Sequence, residues 1–134
     1  MIVTGTVQSG VGDASFRISQ HRNVYEQWTG LKLFAGSLNI LLPAKFDWHA
    51  PGVLAYKKTH SLVPYGGNRE ICLIPCEIYA NDLDRVYGFA WATTNAADEP
   101  DYSVLEIVSD VKLREALRLT DGSATSVEIP VRWR

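Results

Sequence analysis

Three short segments of the chain carry groups that could contact a phosphate or a metal ion. The first is the glycine turn GVGD at residues 10–13, which follows an alternating run at residues 2–8. It is not a P-loop, because no Gly-Lys-Ser or Gly-Lys-Thr ending follows it. Composition alone favours a tight hairpin turn between two strands.

The second segment is GSLN at residues 36–39. On an extended chain, the Ser37 hydroxyl and the Asn39 side-chain amide point to the same face, because they are two residues apart. Both oxygens could then reach one hard cation such as Mg²⁺, which prefers oxygen ligands and keeps several waters. An ordinary turn is the commoner explanation of the same four residues.

The third segment is VKLR at residues 111–114, which places Lys112 and Arg114 where a helix is predicted to begin. Acidic residues are the usual choice in a first helical turn, so two cations there are unusual. Basic side chains beside free helix N–H groups make a phosphate site, although exposed, solvated charge is the alternative. The carboxylates of Asp13 and Glu106 have no paired spacing that indicates a hydrolase.

The two cysteines, Cys72 and Cys76, lie in a Val/Ile-rich run that is typical of a strand. Four residues of strand span about 13 Å, far more than the roughly 4.4–6.8 Å between the Cα atoms of a disulfide. A zinc site would need further ligands nearby, and His21, His49 and His60 are scattered. We therefore expect two buried structural thiols.

The elements that must position these segments are mostly strands. Alternating or apolar runs predict them at residues 2–8, 15–19, 31–42 (with a break at 36–37), 70–80, 85–94, 103–108 and 126–133. Residues 70–80 and 85–94 form an antiparallel hairpin in this interpretation. Within its second strand, Tyr87, Phe89 and Trp91 share a face, which core packing explains more readily than stacking on a planar ligand.

Two short helices complete the prediction. One runs from Asn23 to Gly30, with Glu26 three residues after its capping residue. The other covers residues 109–119, with Ser109 or Asp110 as its cap. Loops around one or two short strands occupy residues 43–67, and an acidic loop occupies residues 95–102. Many short strands without a βαβ rhythm predict a mainly β protein built as a closed β-barrel.

Composition limits the classes of protein that fit. The chain has 134 residues, 46% of them hydrophobic, and a net charge of −2 from 13 basic and 15 acidic side chains. This length suits one compact domain over residues 1–134. A near-neutral chain lacks the basic stripe of a nucleic-acid-binding protein. With no membrane-length apolar run and no signal-peptide pattern, we expect a soluble, cytoplasmic protein without membrane or nucleic-acid partners.

Several of these segments, taken together and in order, resemble the motifs of one family, the CTP-dependent (archaeal-type) riboflavin kinases. No single motif is specific, but together they cover most of the chain. They are SGVGD at residues 9–13, GSLN at 36–39, IPC at 74–76, LEIV at 105–108, VKLR at 111–114 and LTDG at 119–122.

The resemblance implies a six-stranded Greek-key cradle-loop β-barrel with two short helices, acting as a monomer. It also implies transfer of the γ-phosphoryl group of CTP to the 5′-hydroxyl of riboflavin, which gives FMN and CDP with the help of Mg²⁺. A non-catalytic barrel that binds a flavin or a nucleotide is the alternative. Ala14 at a family glycine position and the absence of the family's RTHYP segment motivate that alternative.

The family's functional residues map onto this chain by motif. Glu106 would contact the flavin near its ribityl chain and orient the 5′-hydroxyl or accept its proton, as the candidate catalytic residue. Thr94, or its neighbour Thr93, would contact the flavin phosphate. Ser37 and Asn39 would coordinate Mg²⁺. The nucleotide would be held by Gly10, Val11, Gly12, Asp13, Ala14 and Ser15 together with Val111, Lys112, Leu113 and Arg114.

Overall fold

The computed structural model of the protein describes residues 1–10, 13–62, 69–81, 84–94 and 103–134. Within these ranges the chain forms seven strands and four short helices. In chain order they are β1 (Ile2–Gln8), α1 (Asp13–Gln20), α2 (Arg22–Thr29), β2 (Leu38–Leu41), α3 (Pro51–Leu54), β3 (Lys58–Leu62), β4 (Arg69–Tyr79), β5 (Val86–Thr94), β6 (Val104–Val108), α4 (Leu113–Ala116) and β7 (Ala124–Glu128).

Six of the strands close into a barrel. Their order is β4, β5, β6, β2, β1 and β7, and a β4–β7 pairing closes the ring. The neighbouring strands are antiparallel, and β3 adds to the outside of β4. Closure removes the unpaired edges that an open sheet would expose. The predicted mainly β, six-stranded barrel is confirmed.

Alternation along the strands separates an inner core from an outer one. On β4, Ile74, Cys76 and Ile78 belong to the cluster inside the barrel, which draws buried residues from all six strands. On the opposite face of the same strand, Ile71 and Leu73 belong to a second cluster on the outer surface. Period-two burial on both faces explains why β4 and β5 are almost continuously apolar.

Helices α1 and α2 cover the outer face of β4 and β5. The Tyr25 ring of α2 meets Trp91 edge to face, with ring centroids 5.5 Å apart. Trp91 is 2% exposed, Phe89 0% and Tyr87 8%. The interpretation of this aromatic face as core packing is therefore confirmed.

The strand predicted at residues 15–19 is wrong, because this segment lies in α1. Ala14 and Ile18, four residues apart, are both buried in the outer cluster, whereas Phe16 is 61% exposed. Such spacing fits one face of a helix, and five alternating residues were too few to distinguish the two periods. The segment GVGD, of which residues 11 and 12 lie outside the described part of the chain, therefore stands between a strand and a helix, so the prediction of a hairpin between two strands is wrong.

Other boundaries also differ from the prediction. Only Leu38–Leu41 of residues 31–42 is a strand, and α3 and β3 both lie in the region predicted as loops around one or two short strands. The helix predicted at 109–119 is the single turn α4, with Lys112 as its N-cap residue. The Ser109 hydroxyl donates instead to the carbonyl oxygen of Tyr87 at 2.8 Å. The last strand ends at Glu128, just before Pro130, whose nitrogen has no hydrogen to donate to a ladder.

The helix predicted from Asn23 to Gly30 is confirmed as α2, which ends with Gly30 in the left-handed conformation at φ 74°. The predicted cap is wrong, because the N-cap residue is His21 and Asn23 lies within the helix. The hairpin of β4 and β5 is also confirmed. Cys72 and Cys76 are both free thiols, but only Cys76 is buried as predicted, whereas Cys72 is partly exposed. Burial raises the pKa of Cys76 above its usual range. Among the described residues, no helix is long and apolar enough to cross a membrane.

Candidate functional site

Strand register brings two candidate residues together on the outer surface of the barrel. Asn39 of β2 lies opposite Gln8 of β1 on one side and opposite Glu106 of β6 on the other. The next pair along these strands, Ile40 and Leu105, points into the barrel core. Asn39 and Glu106 therefore project from the outer surface as direct cross-strand neighbours.

The Ser37 hydroxyl joins this pair from the residue before β2. It donates a 2.8 Å hydrogen bond to Oε1 of Glu106. Oε2 of Glu106 and the side-chain amide of Asn39 make no hydrogen bond within the described part of the chain. The three half-buried side chains thus present oxygen atoms that a ligand can still use.

These oxygens suit a magnesium ion better than a transition metal. The described residues contain no group of three His, Cys, Asp or Glu side chains that could hold a metal by themselves. Mg²⁺ commonly takes few protein ligands and completes its shell with water and substrate phosphates. The hydroxyl of Ser37 and the amide oxygen of Asn39, with Glu106 beside them, fit such a site.

Gly10 is required where it stands. A Cβ atom placed on Gly10 would overlap the side-chain amide of Asn39. Any larger residue would displace either the start of the glycine turn or Asn39 itself. The glycine therefore allows the chain leaving β1 to pass directly over the candidate metal site.

A hydrogen-bonded network ties the end of β1 to the segment around α4. Nη2 of Arg114 donates to Oδ1 of Asp121 at 2.7 Å and to the carbonyl oxygen of Gln8 at 3.3 Å. The Ser9 hydroxyl donates to Oδ2 of Asp121 at 2.8 Å. These bonds lower the pKa of Asp121, with the Arg114 bond as the largest cause, so the carboxylate is ionised at neutral pH.

A cavity of about 190 Å³ lies between Arg114 and Ser37, one of the two metal candidates. This volume is below the roughly 300–1,000 Å³ of typical ligand pockets. It therefore suits one group of a ligand, such as a phosphate, rather than a whole nucleotide. Its lining consists of Phe34, Gly36, Ser37, Leu38, Ser109, Val111, Lys112, Leu113 and Arg114.

The remaining candidates for the nucleotide are distributed unevenly. Val11, Gly12 and the side chain of Asp13 lie outside the described residues. Ala14 and Ser15 stand in the first turn of α1 rather than in a loop, and the Ala14 side chain is buried. Lys112 is half-exposed and 3.7 Å from Glu115, measured from Nζ to Oε1. Val111 is exposed and Leu113 is buried.

Thr94 is not brought into this cluster by the strand register. It pairs with Glu70 of β4, whereas Trp91, three residues earlier on β5, lies opposite Glu106. Three residues of strand span about 10 Å. The side chains of Thr93 and Thr94, like the acidic loop at 95–102, lie outside the described part of the structure.

A larger groove lies elsewhere on the barrel. It measures about 410 Å³ and is bounded by residues 1–4 and 42–47. None of the candidate residues lines it, and its walls are mainly apolar. The larger groove therefore offers none of the candidate groups for contacting a phosphate.

Sequence reasoning missed four residues of this site. Asp121 and Ser9 form the network with Arg114, and Phe34 and Ser109 line the cavity. Asp121 lies within the LTDG segment, so its position was noticed but its carboxylate was given no role. Its partner Ser9 is 112 residues away in the chain, a separation at which no periodic pattern signals a contact.

Comparison with known proteins identifies relatives of this chain. The family model CTP-dep_RFKase, described as "Domain of unknown function DUF120", matches residues 7–129. A protein named riboflavin kinase from Methanococcoides burtonii is 29% identical over 96% of this chain and 56% of its own length. One from Pyrobaculum aerophilum is 32% identical over 93% of this chain and 59% of its own length.

These two relatives are longer proteins, of which the chain spans little more than half. A riboflavin kinase from Methanobrevibacter smithii is 28% identical over 96% of this chain and 99% of its own length. The family match runs from the end of β1 to just past β7 and includes every residue of the candidate site. The chain therefore belongs to the CTP-dependent riboflavin kinase family.

Proposed function

We propose that this chain transfers the γ-phosphoryl group of CTP to the 5′-hydroxyl of riboflavin, producing FMN and CDP with the assistance of Mg²⁺. The observation that carries the proposal is the convergence of Ser37, Asn39 and Glu106 with Gly10 and Arg114 at one place on the barrel. Membership of the kinase family supports the same conclusion.

Phosphoryl transfer requires mainly accurate positioning and neutralisation of negative charge. The backbone at Gly10 and the following residues, 11–15, holds the nucleotide in this proposal. Lys112 and Arg114 face its phosphates, together with the backbone of Val111 and Leu113. Because Ala14 and Leu113 are buried, they contribute through main-chain atoms rather than through their side chains.

Ser37, at the wall of the cavity, and Asn39, two residues further along the same segment, would hold the metal ion. A bound Mg²⁺ supplies positive charge to the phosphate oxygens, which lowers the cost of charge developing during transfer. Asn39 is fixed by its place in β2 between β1 and β6. A ligand on a strand keeps its position better than one on a loop.

Glu106 acts on the acceptor. Its Oε1 is engaged by Ser37, so Oε2 is the oxygen that accepts a hydrogen bond from the 5′-hydroxyl of riboflavin. The hydroxyl oxygen forms a bond to the γ-phosphorus as the bond from that phosphorus to the β–γ bridging oxygen breaks. CDP leaves, and the hydroxyl proton passes to Glu106.

The direct test is to incubate the purified protein with riboflavin, Mg²⁺ and either CTP or ATP, and to separate FMN from riboflavin by chromatography. We expect FMN with CTP, much less with ATP, and none when EDTA removes the metal. Flavin or nucleotide binding without any FMN would instead identify a binding module. That result would contradict the proposed activity.

A further inference from the structure

We infer that Asp121 is a positioning residue for the nucleotide site, which holds the Arg114 guanidinium in the orientation that receives the phosphates. The inference rests on the proposed function, because it assumes that Arg114 faces the nucleotide. Asp121 does not line the cavity itself. Its effect must therefore pass through Arg114 and Ser9, its two hydrogen-bond partners.

The geometry divides the donors of Arg114 into two groups. Nη2 donates both to Asp121 and to the carbonyl oxygen of Gln8, which accounts for its two hydrogens. A guanidinium also carries N–H donors on Nε and Nη1, and these have no partner among the residues that the structure describes. One nitrogen is anchored, and the other two remain for a ligand.

The carboxylate of Asp121 also connects two separate stretches of chain. Ser9 stands beside Gly10 at the end of β1, and Arg114 lies in α4. By accepting from both, Asp121 fixes the start of the glycine turn relative to the cation that faces the cavity. The two parts proposed to hold the nucleotide are thus held together by a residue that touches neither the cavity nor the metal site.

Stability alone does not explain this arrangement. The Arg114 side chain is 33% exposed and that of Asp121 is 59% exposed, and ion pairs so open to water contribute little to folding. A free arginine side chain, in contrast, populates many rotamers that binding must then restrict. An anchored guanidinium avoids that restriction when the ligand arrives, which is the advantage of preorganisation.

Charge and positioning predict opposite effects for the same substitution. Asp121→Asn removes a negative charge from the neighbourhood of the phosphates, so electrostatics alone would strengthen CTP binding. Loss of the charged anchor releases Arg114 and weakens CTP binding. The direction of the change therefore decides between the two roles.

The experiment measures CTP binding by titration calorimetry without riboflavin, together with kcat and both KM values. For Asp121→Asn, we expect the Kd and the KM for CTP to rise about 3- to 10-fold. The KM for riboflavin and kcat should change less than about twofold, since the acceptor side is untouched. Ser9→Ala, which removes one of the two bonds, should raise the KM for CTP by a smaller factor.

Two controls separate positioning from a general loss of structure. Glu128→Gln breaks the Arg85–Glu128 pair, which has a 2.6 Å contact and similar exposure but lies away from the cavity, and should leave both KM values unchanged. In an Arg114→Ala background, Asp121→Asn should raise the KM for CTP no further, because the group it positions is gone.

The possible outcomes are distinct. An unchanged or lower KM for CTP in Asp121→Asn, with normal FMN formation by the wild type, would overturn this inference and leave the proposed function standing. If Asp121→Asn fails to fold, Ser9→Ala decides in the same way. A wild-type protein that neither binds CTP nor forms FMN would overturn both.

Discussion

At the scale of single residues, the proposed phosphoryl transfer depends most on Glu106. Its carboxylate is shared, with Ser37 donating to Oε1 and Oε2 left without a protein partner among the described residues. Ser37 thereby restricts the rotamer of a side chain whose other oxygen is the one proposed to face the acceptor. A group that both orients a hydroxyl and takes its proton must be an anion held in one place.

Replacing Glu106 by Gln tests this role. The amide keeps the size of the side chain but cannot take the proton, so we expect kcat to fall about 100- to 10,000-fold. The KM for CTP should stay within about threefold, because the nucleotide is held by other residues. Steady-state kinetics with each substrate varied in turn measures both.

Glu77→Gln is the matched control for Glu106→Gln. Glu77 is also a half-buried strand glutamate, but it lies on β4 opposite Tyr87 and Glu128. Its substitution should leave kcat unchanged. Equal losses in the two variants would show that Glu106 supports the barrel rather than the reaction.

Asn39 offers a second test at this scale, directed at the metal. Asn39→Ala removes the proposed oxygen ligand, so turnover should fall at least about 100-fold. The thermal midpoint should stay close to that of the wild type, because the amide makes no hydrogen bond to the described residues. Asn39→Asp keeps an oxygen at the same position and should retain part of the activity.

The dependence of activity on Mg²⁺ concentration completes the Asn39 test. In Asn39→Asp, half-maximal activity should require a different Mg²⁺ concentration from the wild type, since the charge of the ligand has changed. Full activity of Asn39→Ala at the same Mg²⁺ concentration would remove Asn39 from the metal site.

The sequence predicted these residues individually but not their arrangement. Ser37 and Asn39 share a segment, so their common face followed from spacing alone. Glu106 is 69 residues from Ser37, and their contact depends on the register between β2 and β6. Register is set by the packing of Ile40 and Leu105 inside the barrel, which no local pattern reveals.

At the scale of elements, α1 is the clearest difference between expectation and structure. Residues 15–19 alternate like a strand, in which Phe16 and Ile18, two residues apart, would share a face. In the helix the two side chains lie on different faces. Ile18 is buried in the outer cluster, and Phe16 is largely exposed. The helix is favoured because α2 and the aromatic face of β5 provide a surface for Ala14 and Ile18 to cover.

Alanine substitutions distinguish the helix from the strand. Ile18→Ala should lower the free energy of unfolding by about 2–5 kcal/mol, as for other large-to-small changes in a core. Phe16→Ala should change it by less than about 0.5 kcal/mol, because that ring faces solvent. Urea denaturation followed by tryptophan fluorescence measures both. Similar losses for the two variants would favour the strand.

At the scale of the whole molecule, barrel closure gathers the residues that are proposed to hold a phosphorylated substrate on a nearly neutral chain. Closure brings the end of β1, the start of β2 and the segment around α4 to one place. A net charge of −2 conceals the local gathering of Lys112 and Arg114 beside the cavity. The barrel itself was predictable from the number and spacing of short strands.

The sequence predicted a closed barrel but not which two strands pair to close it. The ring closes because β4 pairs with β7. These two strands stand at opposite ends of the strand order β4, β5, β6, β2, β1 and β7. Such a non-local pairing is decided by which apolar faces fit together, among them Ile78 and Val127. Composition and periodicity specify the faces but not their partners.

The most direct test of the proposed kinase activity is to follow the γ-phosphate of CTP into the products. The protein is incubated with riboflavin, Mg²⁺ and CTP labelled at the γ-phosphate, and the products are separated and quantified. If the chain transfers the γ-phosphoryl group to riboflavin, the label should appear in FMN, with one CDP formed for each FMN. Release of the label as inorganic phosphate, with no labelled FMN, would contradict it.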